Sequence, residues 1–448
     1  MKWVAERAID YQQGLNNRGV APTNEAVSRL KELDTELQED PIEADEVIRV
    51  LEEVGSPATV AMTGGRYFGF VTGGSLPSAQ AASWLVDTWD QNSALRVMSP
   101  IAVTIEEVAM RWIAEVLGLP LNCGAAFVTG ATMANFTGLA AARHSLLERA
   151  GWNVEENGLF GAPEITVVVS EEAHSTLFKA LGLLGLGRNR VVIVPADSQG
   201  RMRFDRLPRL SDQTIVCILA GNVNTGSFDP AKEICQAAQA AGAWVHVDGA
   251  FGLWAAASPG RKHLADGFED ADSWATDAHK WLNVTYDSGI ALVRNPEHLR
   301  AAMSLSAAYL PRGDQREPIE YTPEASRRAR GIPVWATLRS LGKGGLADLV
   351  ERTCRHAERF AAGLHEAGFH ILNDVVINQV LVSFGDPETT QKIISAIQKD
   401  GTCWCGGTVW QGQTAMRISV SSWATTDEDV EKSLAAIIRI ARKHIKDK

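Results

Sequence analysis

The sequence predicts an α/β fold built on a mostly parallel sheet, and three observations predict it. Short apolar runs alternate with helical stretches between about residues 125 and 293, which is the sequence sign of repeated strand–helix units. Residues with ligand-binding chemistry follow several of these runs directly, where open α/β sheets collect their ligands. At 448 residues the chain is also long enough for a large core and two or three domains.

The elements follow in order. Residues 1 to about 55 are rich in Ala, Leu, Glu and Arg, and Pro22 and Pro41 divide them into helical pieces. The second piece, Asn24 to Leu37, has Thr23 or Asn24 as its cap. Residues 63–74 are too rich in Gly for a regular helix, and Tyr67, Phe68 and Phe70 make them read as the rim of a pocket. A helical pattern returns from about 77 to 118. A short strand then leads through Gly130 into a long helix beginning near Thr132.

Further strands are expected at Ile165–Ser170, Val191–Pro195, Thr214–Ala220, Ala243–Asp248, Ser273–Ala275 and Gly289–Val293, with helices at His174–Leu184 and Pro230–Ala241. Periodicity lapses through Tyr309–Pro318, which reads as a mobile loop. Helices are expected at Ile332–Leu341 and Gly345–Ala367. A C-terminal unit follows: strand Val376–Phe384, helix Thr389–Lys399, strands Gly407–Trp410 and Ala415–Val420, and a last helix from Thr425. The expected divisions are an N-terminal helical segment (1–85), a large domain (86–345) and a small C-terminal α/β domain (346–448).

Composition narrows the function. The chain is 45% hydrophobic and 22% charged, as ordinary globular proteins are. A net charge of −11 argues against nucleic acid or an anionic membrane as the main partner, and the basic run Ser326-Arg327-Arg328-Ala329-Arg330 is only local. Six scattered cysteines form no disulfide framework, and Cys403-Trp404-Cys405 lacks a second pair at zinc spacing, so no metal is expected. The charged start gives no secretory signal and no apolar run reaches about 18 residues, so the expectation is a cytoplasmic protein.

The chemistry centres on Ser273-Trp274-Ala275-Thr276-Asp277-Ala278-His279-Lys280-Trp281. A lysine so close behind an apolar run needs a partner. Asp248 ends another apolar strand, where a carboxylate needs a cation or a proton. The nitrogen of a protonated pyridine ring suits it, and Gly249 and Ala250 leave room for a flat ring. Gly130-Ala131-Thr132, at a strand-to-helix turn, can take an anion on backbone N–H groups. It has the spacing of neither a dinucleotide fingerprint nor a P-loop. Each feature alone also has a plain structural reading: a βα turn, a capping Asp, a core His, a surface Lys.

Together these residues resemble the group II pyridoxal-phosphate decarboxylases, which include aromatic-L-amino-acid and glutamate decarboxylases. The marks are Ala173-His174-Ser175, His246-Val247-Asp248-Gly249-Ala250-Phe251-Gly252, Asp277-Ala278-His279-Lys280-Trp281 and Ser326-Arg327-Arg328-Ala329-Arg330. The resemblance implies fold-type I: a seven-stranded large domain, a small C-terminal domain and an obligate homodimer with active sites at the subunit interface. It also implies pyridoxal phosphate held as a Schiff base by Lys280, with Asp248 on the ring nitrogen, His174 stacked on the ring and Ala250 on the opposite face. Ala131, Thr132 and His279 fall on phosphate-binding positions. Asn222 stands where relatives carry Thr, and Asp277 where better-known members carry Asn, which weakens both inferred contacts.

Tyr309 matches the tyrosine that reprotonates the substrate carbon after carbon dioxide leaves, with His174 as the implied assistant, and Arg417 matches an arginine that meets a substrate carboxylate in some members. Tyr67 and Phe70 are candidate substrate contacts. The implied reaction is decarboxylation of an L-amino acid to its amine. The alternatives are an aldolase, lyase or aminotransferase-like enzyme of the same fold, and a non-catalytic binding protein.

Overall fold

The computed structural model describes residues 1–305 and 315–446. Tyr309 and most of the expected mobile loop lie outside the described residues. The chain divides into two compact units, one of residues 75–355 and 373–379, the other of residues 1–74, 356–372 and 380–448.

The first unit holds the seven-stranded sheet: β1 (Gly124–Val128), β2 (Thr166–Ser170), β3 (Val192–Val194), β4 (Thr214–Leu219), β5 (Trp244–Asp248), β6 (Ser273–Asp277) and β7 (Gly289–Val293). Their order is β1-β7-β6-β5-β4-β2-β3. Neighbours from β6 through β3 run parallel, and β7 is antiparallel to both β6 and β1. The mostly parallel sheet read from the sequence is therefore present. Strands β1, β4, β5, β6 and β7 are buried along their whole length, as parallel strands covered on both faces are. Each Ile, Leu or Val fully buried here contributes about 1.5–3 kcal/mol.

Helix Ala131–Arg149 lies on β5, β6 and β7. Its run of Gly138, Leu139, Ala140, Ala141 and Ala142 is wholly buried, and the small residues allow a close approach of helix to sheet.

The register fixes the working edge of the sheet. Val128 pairs with Gly289, Asp277 pairs with Gly289, and Asp248 aligns with Ala275 and Leu219. The C-terminal ends of β1, β4, β5 and β6 therefore open on one side. Gly289 permits the tight β1–β7 end: a Cβ there would lie 2.4 Å from the Gly130 Cα.

Several elements differ from expectation. The helical pattern at 77–118 is two helices, Pro77–Trp89 and Pro100–Val116, separated where Asp90 takes a left-handed φ of 47°. Helix Pro296–Met303 is not among the expected elements; Asn295 caps it with its side chain, and Pro296 at its first position suits a helix start. By contrast, the two helices expected on either side of residue 343 are present within Gly331–Glu366, meeting at a kink where Gly342 takes a non-helical φ of 59°. The helix expected at Asn24–Leu37 runs only over Asn24–Arg29, with a 3₁₀ turn at Leu30–Leu33, although Thr23 does cap it.

The second unit carries a four-stranded sheet: β8 (His370–Ile371), β9 (Gln379–Ser383), β10 (Gly406–Trp410) and β11 (Gln413–Ser419), in the order β10-β11-β9-β8. The two-residue β8 is too short to show in the sequence. Helix Pro387–Asp400 is capped by Asp386 and packs on helix Asp427–Lys446, whose first turn is acidic as expected. Cys403 and Cys405 are buried, and none of the six cysteines is in a disulfide. Among the described residues no helix is long and apolar enough to cross a membrane.

Candidate active site

The Lys280 region is built outward from β6. Asp277 closes that strand at 2% exposure, and its carboxylate gathers three of the expected site residues. Its Oδ1 accepts from the Ala131 N–H at 2.6 Å. Its Oδ2 lies 3.2 Å from Lys280 Nζ, and Oδ1 lies 3.6 Å from His279 Nε2. Trp281 anchors the turn beyond the lysine, fully buried, with its indole N–H donating to Thr353 Oγ1 at 2.9 Å.

His279 has a defined tautomer. The Ser288 N–H donates to its Nδ1 at 3.0 Å, so Nε2 carries the ring proton and faces Asp277. Burial lowers its pKa, against the opposing pull of Asp277. Tyr286 stacks on the imidazole with ring centroids 4.4 Å apart. Gly130 opens the space before this group: a Cβ there would sit 3.2 Å from His279 Cε1 and 3.5 Å from Asp277 Oδ1.

Asp248 ends β5 and is 4% exposed. Its Oδ1 accepts from the Ala250 N–H at 3.3 Å and its Oδ2 from Asn135 Nδ2 at 3.2 Å. The Ala250 carbonyl accepts from the Asp277 N–H at 2.9 Å, so Asp248, Ala250, Asp277 and Lys280 form one connected group. His174 follows β2 and caps helix Ser175–Leu183, its Nδ1 accepting from the Thr176 N–H at 3.3 Å. Asn222 follows β4 and is buried, its Oδ1 accepting from the Asn224 and Thr225 N–H groups at 2.8 and 3.1 Å. Thr132 stands in the first turn of helix Ala131–Arg149.

These residues fit pyridoxal phosphate. A buried carboxylate suits a ring nitrogen, and a half-buried amine suits the aldehyde. A helix N-terminus entered through Gly130, where a Cβ would crowd His279 and Asp277, suits the phosphate. One expected contact meets competition, because the Ala131 N–H is already engaged by Asp277.

Tyr67, Phe70 and Arg417 belong to the second unit. Trp404 stacks with Tyr67 (5.2 Å) and with Phe70 (5.8 Å). Gly69 makes this possible, since a Cβ there would lie 2.1 Å from the Trp404 ring. Phe68, read with the rim, is core and packs edge-on against Phe360, and Trp410 packs with Leu381 and Ala415. Arg417 lies on β11 opposite Gly406, and burial lowers its pKa to about 10.

Asn135, His246 and Ser273 were given no role from sequence, yet all three are fully buried and linked to Asp248. The available signal was His246 itself, a polar side chain inside the apolar strand Trp244-Val245-His246-Val247.

Comparison with known proteins agrees with this chemistry. The profile of the pyridoxal-dependent decarboxylase conserved domain matches residues 28–385. An aspartate 1-decarboxylase of Aliivibrio fischeri is 32% identical over 252 residues, covering 53% of this chain and 46% of that protein. An acidic amino acid decarboxylase of Mus musculus is 27% identical over 71% of this chain and 60% of its own length. These matches span only about half to three-fifths of those relatives. The crystal structure of Oryza sativa TDC with PLP and tryptamine superposes with a TM-score of 0.90 at 21% identity, covering 99% of this chain and 96% of that one. The chain belongs to the pyridoxal-dependent decarboxylase family, with the fold expected of it.

Proposed function

We propose that this member of the family decarboxylates an L-amino acid to its amine and carbon dioxide, with pyridoxal phosphate as cofactor. The observation that carries the proposal is the connected group Asp248–Ala250–Asp277–Lys280 at the strand ends. When bound, the cofactor supplies an electron sink for the pair left behind as the carboxylate departs.

The residues take the following parts. Lys280 Nζ is the amine that holds the cofactor covalently, and Asp277 Oδ2 at 3.2 Å keeps it in place. Asp248 pairs with the ring nitrogen, while His174 and Ala250 flank the ring. Thr132 and His279 Nε2 serve the phosphate, and Asn222 holds the turn after β4, the strand next to the one that ends in Asp248. Tyr309 delivers a proton to the substrate Cα. Tyr67, Phe70 and Arg417 are proposed substrate contacts.

A homodimer is part of the proposal. Leu85, Trp89, Val97, Met98 and Ile101 are all exposed on one stretch of the large unit, with Val97 at 76%. Grouped exposed apolar side chains mark interaction surfaces.

The test combines absorbance with a product screen. The purified protein should show a band at roughly 400–430 nm, characteristic of lysine-bound cofactor, that Lys280→Ala abolishes. Mass spectrometry over the standard amino acids should find one amine product. A band indifferent to Lys280→Ala, or a keto acid in place of an amine, would overturn the reading.

A further inference from the structure

Asp248 is the last link of a buried hydrogen-bond chain. Trp244 Nε1 donates to Ser273 Oγ at 2.9 Å, and Ser273 Oγ lies 2.8 Å from His246 Nδ1. His246 Nε2 lies 2.9 Å from Asn135 Oδ1, and Asn135 Nδ2 donates to Asp248 Oδ2 at 3.2 Å. Ser273, His246 and Asn135 are 0% exposed, Trp244 5% and Asp248 4%.

The Asp248 end fixes the direction of every bond. Asn135 Nδ2 donates to Asp248 Oδ2, so the amide oxygen faces His246 Nε2. An amide oxygen only accepts, so the imidazole proton is on Nε2. Nδ1 of the neutral ring then accepts from the Ser273 hydroxyl, whose oxygen accepts in turn from the Trp244 indole N–H. Burial pushes the His246 pKa down to about 3, in keeping with a neutral ring that accepts at Nδ1.

Backbone geometry brings the links together. His246 and Ser273 are register partners on β5 and β6. Asn135 and Gly138 share one face of helix Ala131–Arg149, three residues apart. A Cβ on Gly138 would lie 2.9 Å from His246 Cε1, so the missing side chain is what allows the ring to reach Asn135.

We propose that Asn135, His246 and Ser273 are positioning residues that fix the orientation of the Asp248 carboxylate toward the ring nitrogen of the cofactor. An Asp side chain otherwise rotates in a broad, shallow well at its last torsion. Here Asn135 holds Oδ2 and the Ala250 N–H holds Oδ1, so both oxygens are placed. The proposal rests on the reading above, in which Asp248 meets the ring nitrogen.

The test measures binding by apo-protein of pyridoxal phosphate and of its deaza analogue, in which C–H replaces the ring nitrogen. Wild type should prefer the natural cofactor by about tenfold or more, the size of one hydrogen bond to a charged group. Asn135→Ala and His246→Leu should remove most of that preference while leaving affinity for the deaza analogue nearly unchanged. His246→Gln, which keeps one donor and one acceptor, should restore it. A purely structural role would lower both affinities equally, and that result overturns the proposal. Absence of any preference in wild type overturns the underlying reading of Asp248 instead. NMR of the wild-type apo-protein carrying nitrogen-labelled histidine gives an answer independent of variant folding. It should find His246 protonated on Nε2, and protonation on Nδ1 would overturn the chain's direction.

Discussion

Acidification should destabilise the large unit through His246, by an amount that follows from its burial. In the unfolded chain this ring takes a proton near its ordinary value of 6.5, whereas in the fold it stays neutral down to about 3. Between those values unfolding takes up a proton, so stability rises with pH in that window. The contribution is fully present above about pH 6.5 and is lost as the pH falls toward about 3. At about pH 5 the unfolded ring is almost wholly protonated and the folded ring is neutral. The loss is then about 1.5 pH units at ~1.4 kcal/mol each, or ~2 kcal/mol.

The perturbation that isolates this effect is His246→Gln, which keeps hydrogen-bonding groups toward Ser273 and Asn135 but does not titrate. Urea unfolding of apo-protein, followed by tryptophan fluorescence, would be compared at about pH 7.5 and about pH 5 for both proteins. Protein concentration must be held constant, because a dimer's apparent stability depends on it. Other groups titrate in both proteins and cancel in the comparison. Wild type should lose ~2 kcal/mol more than the variant on acidification. Equal losses would refute the reasoning, since the ring would then be protonated in the fold or reached by water.

Three further outcomes are expected. Gly138→Ala places a methyl 2.9 Å from His246 Cε1; overpacking should cost about 1–3 kcal/mol and outweigh the ~1 kcal/mol that Ala gains in a helix, read as a lowered thermal midpoint. Arg327→Met removes a fully buried guanidinium whose Nη2 donates to Glu106 Oε2 at 2.7 Å and Oε1 at 2.9 Å. It should cost ~3 kcal/mol, the low end for a broken buried pair, because Arg316 still reaches Glu106 Oε1 at 3.2 Å; an unchanged denaturation midpoint would count against it. Val97→Glu with Met98→Glu places charge on the exposed apolar stretch and should shift sedimentation from dimer toward monomer, whereas undiminished dimer would exclude that stretch from the interface.

The parts of the site that could be read from sequence are those whose meaning is local. Asp248 and Lys280 stand at or just past strand ends, and an apolar run followed by a charged residue shows this without tertiary information. The sheet itself was legible because its strands are short buried runs separated by helices, a pattern that survives errors of two or three residues at each boundary. The Asn135–His246 bond was not legible, because it joins residues 111 apart and depends on helix Ala131–Arg149 crossing β5 where Gly138 leaves room. Phe68, read with the rim, proved to be core for a related reason: an aromatic residue reads the same whether it lines a pocket or fills a core. Helix Pro296–Met303 escaped because it is only eight residues long, with the single buried residue Leu299 to mark a face.

Asp277 ties these readings together. A carboxylate at the N-terminus of helix Ala131–Arg149 is favoured by the helix dipole, and here it also has Lys280 Nζ at 3.2 Å and the Ala131 N–H at 2.6 Å. A phosphate arriving at the same turn seeks the same donors and brings a second negative charge beside the first. With the phosphate at the proposed turn, cofactor affinity would depend on a difference between two anions sharing one cradle, not on the cradle alone. A neutral Asn at this position would bring no such charge. The buried His279, with its proton on Nε2 toward Asp277, is the group placed to moderate that repulsion, since it can donate to either anion without carrying a charge of its own.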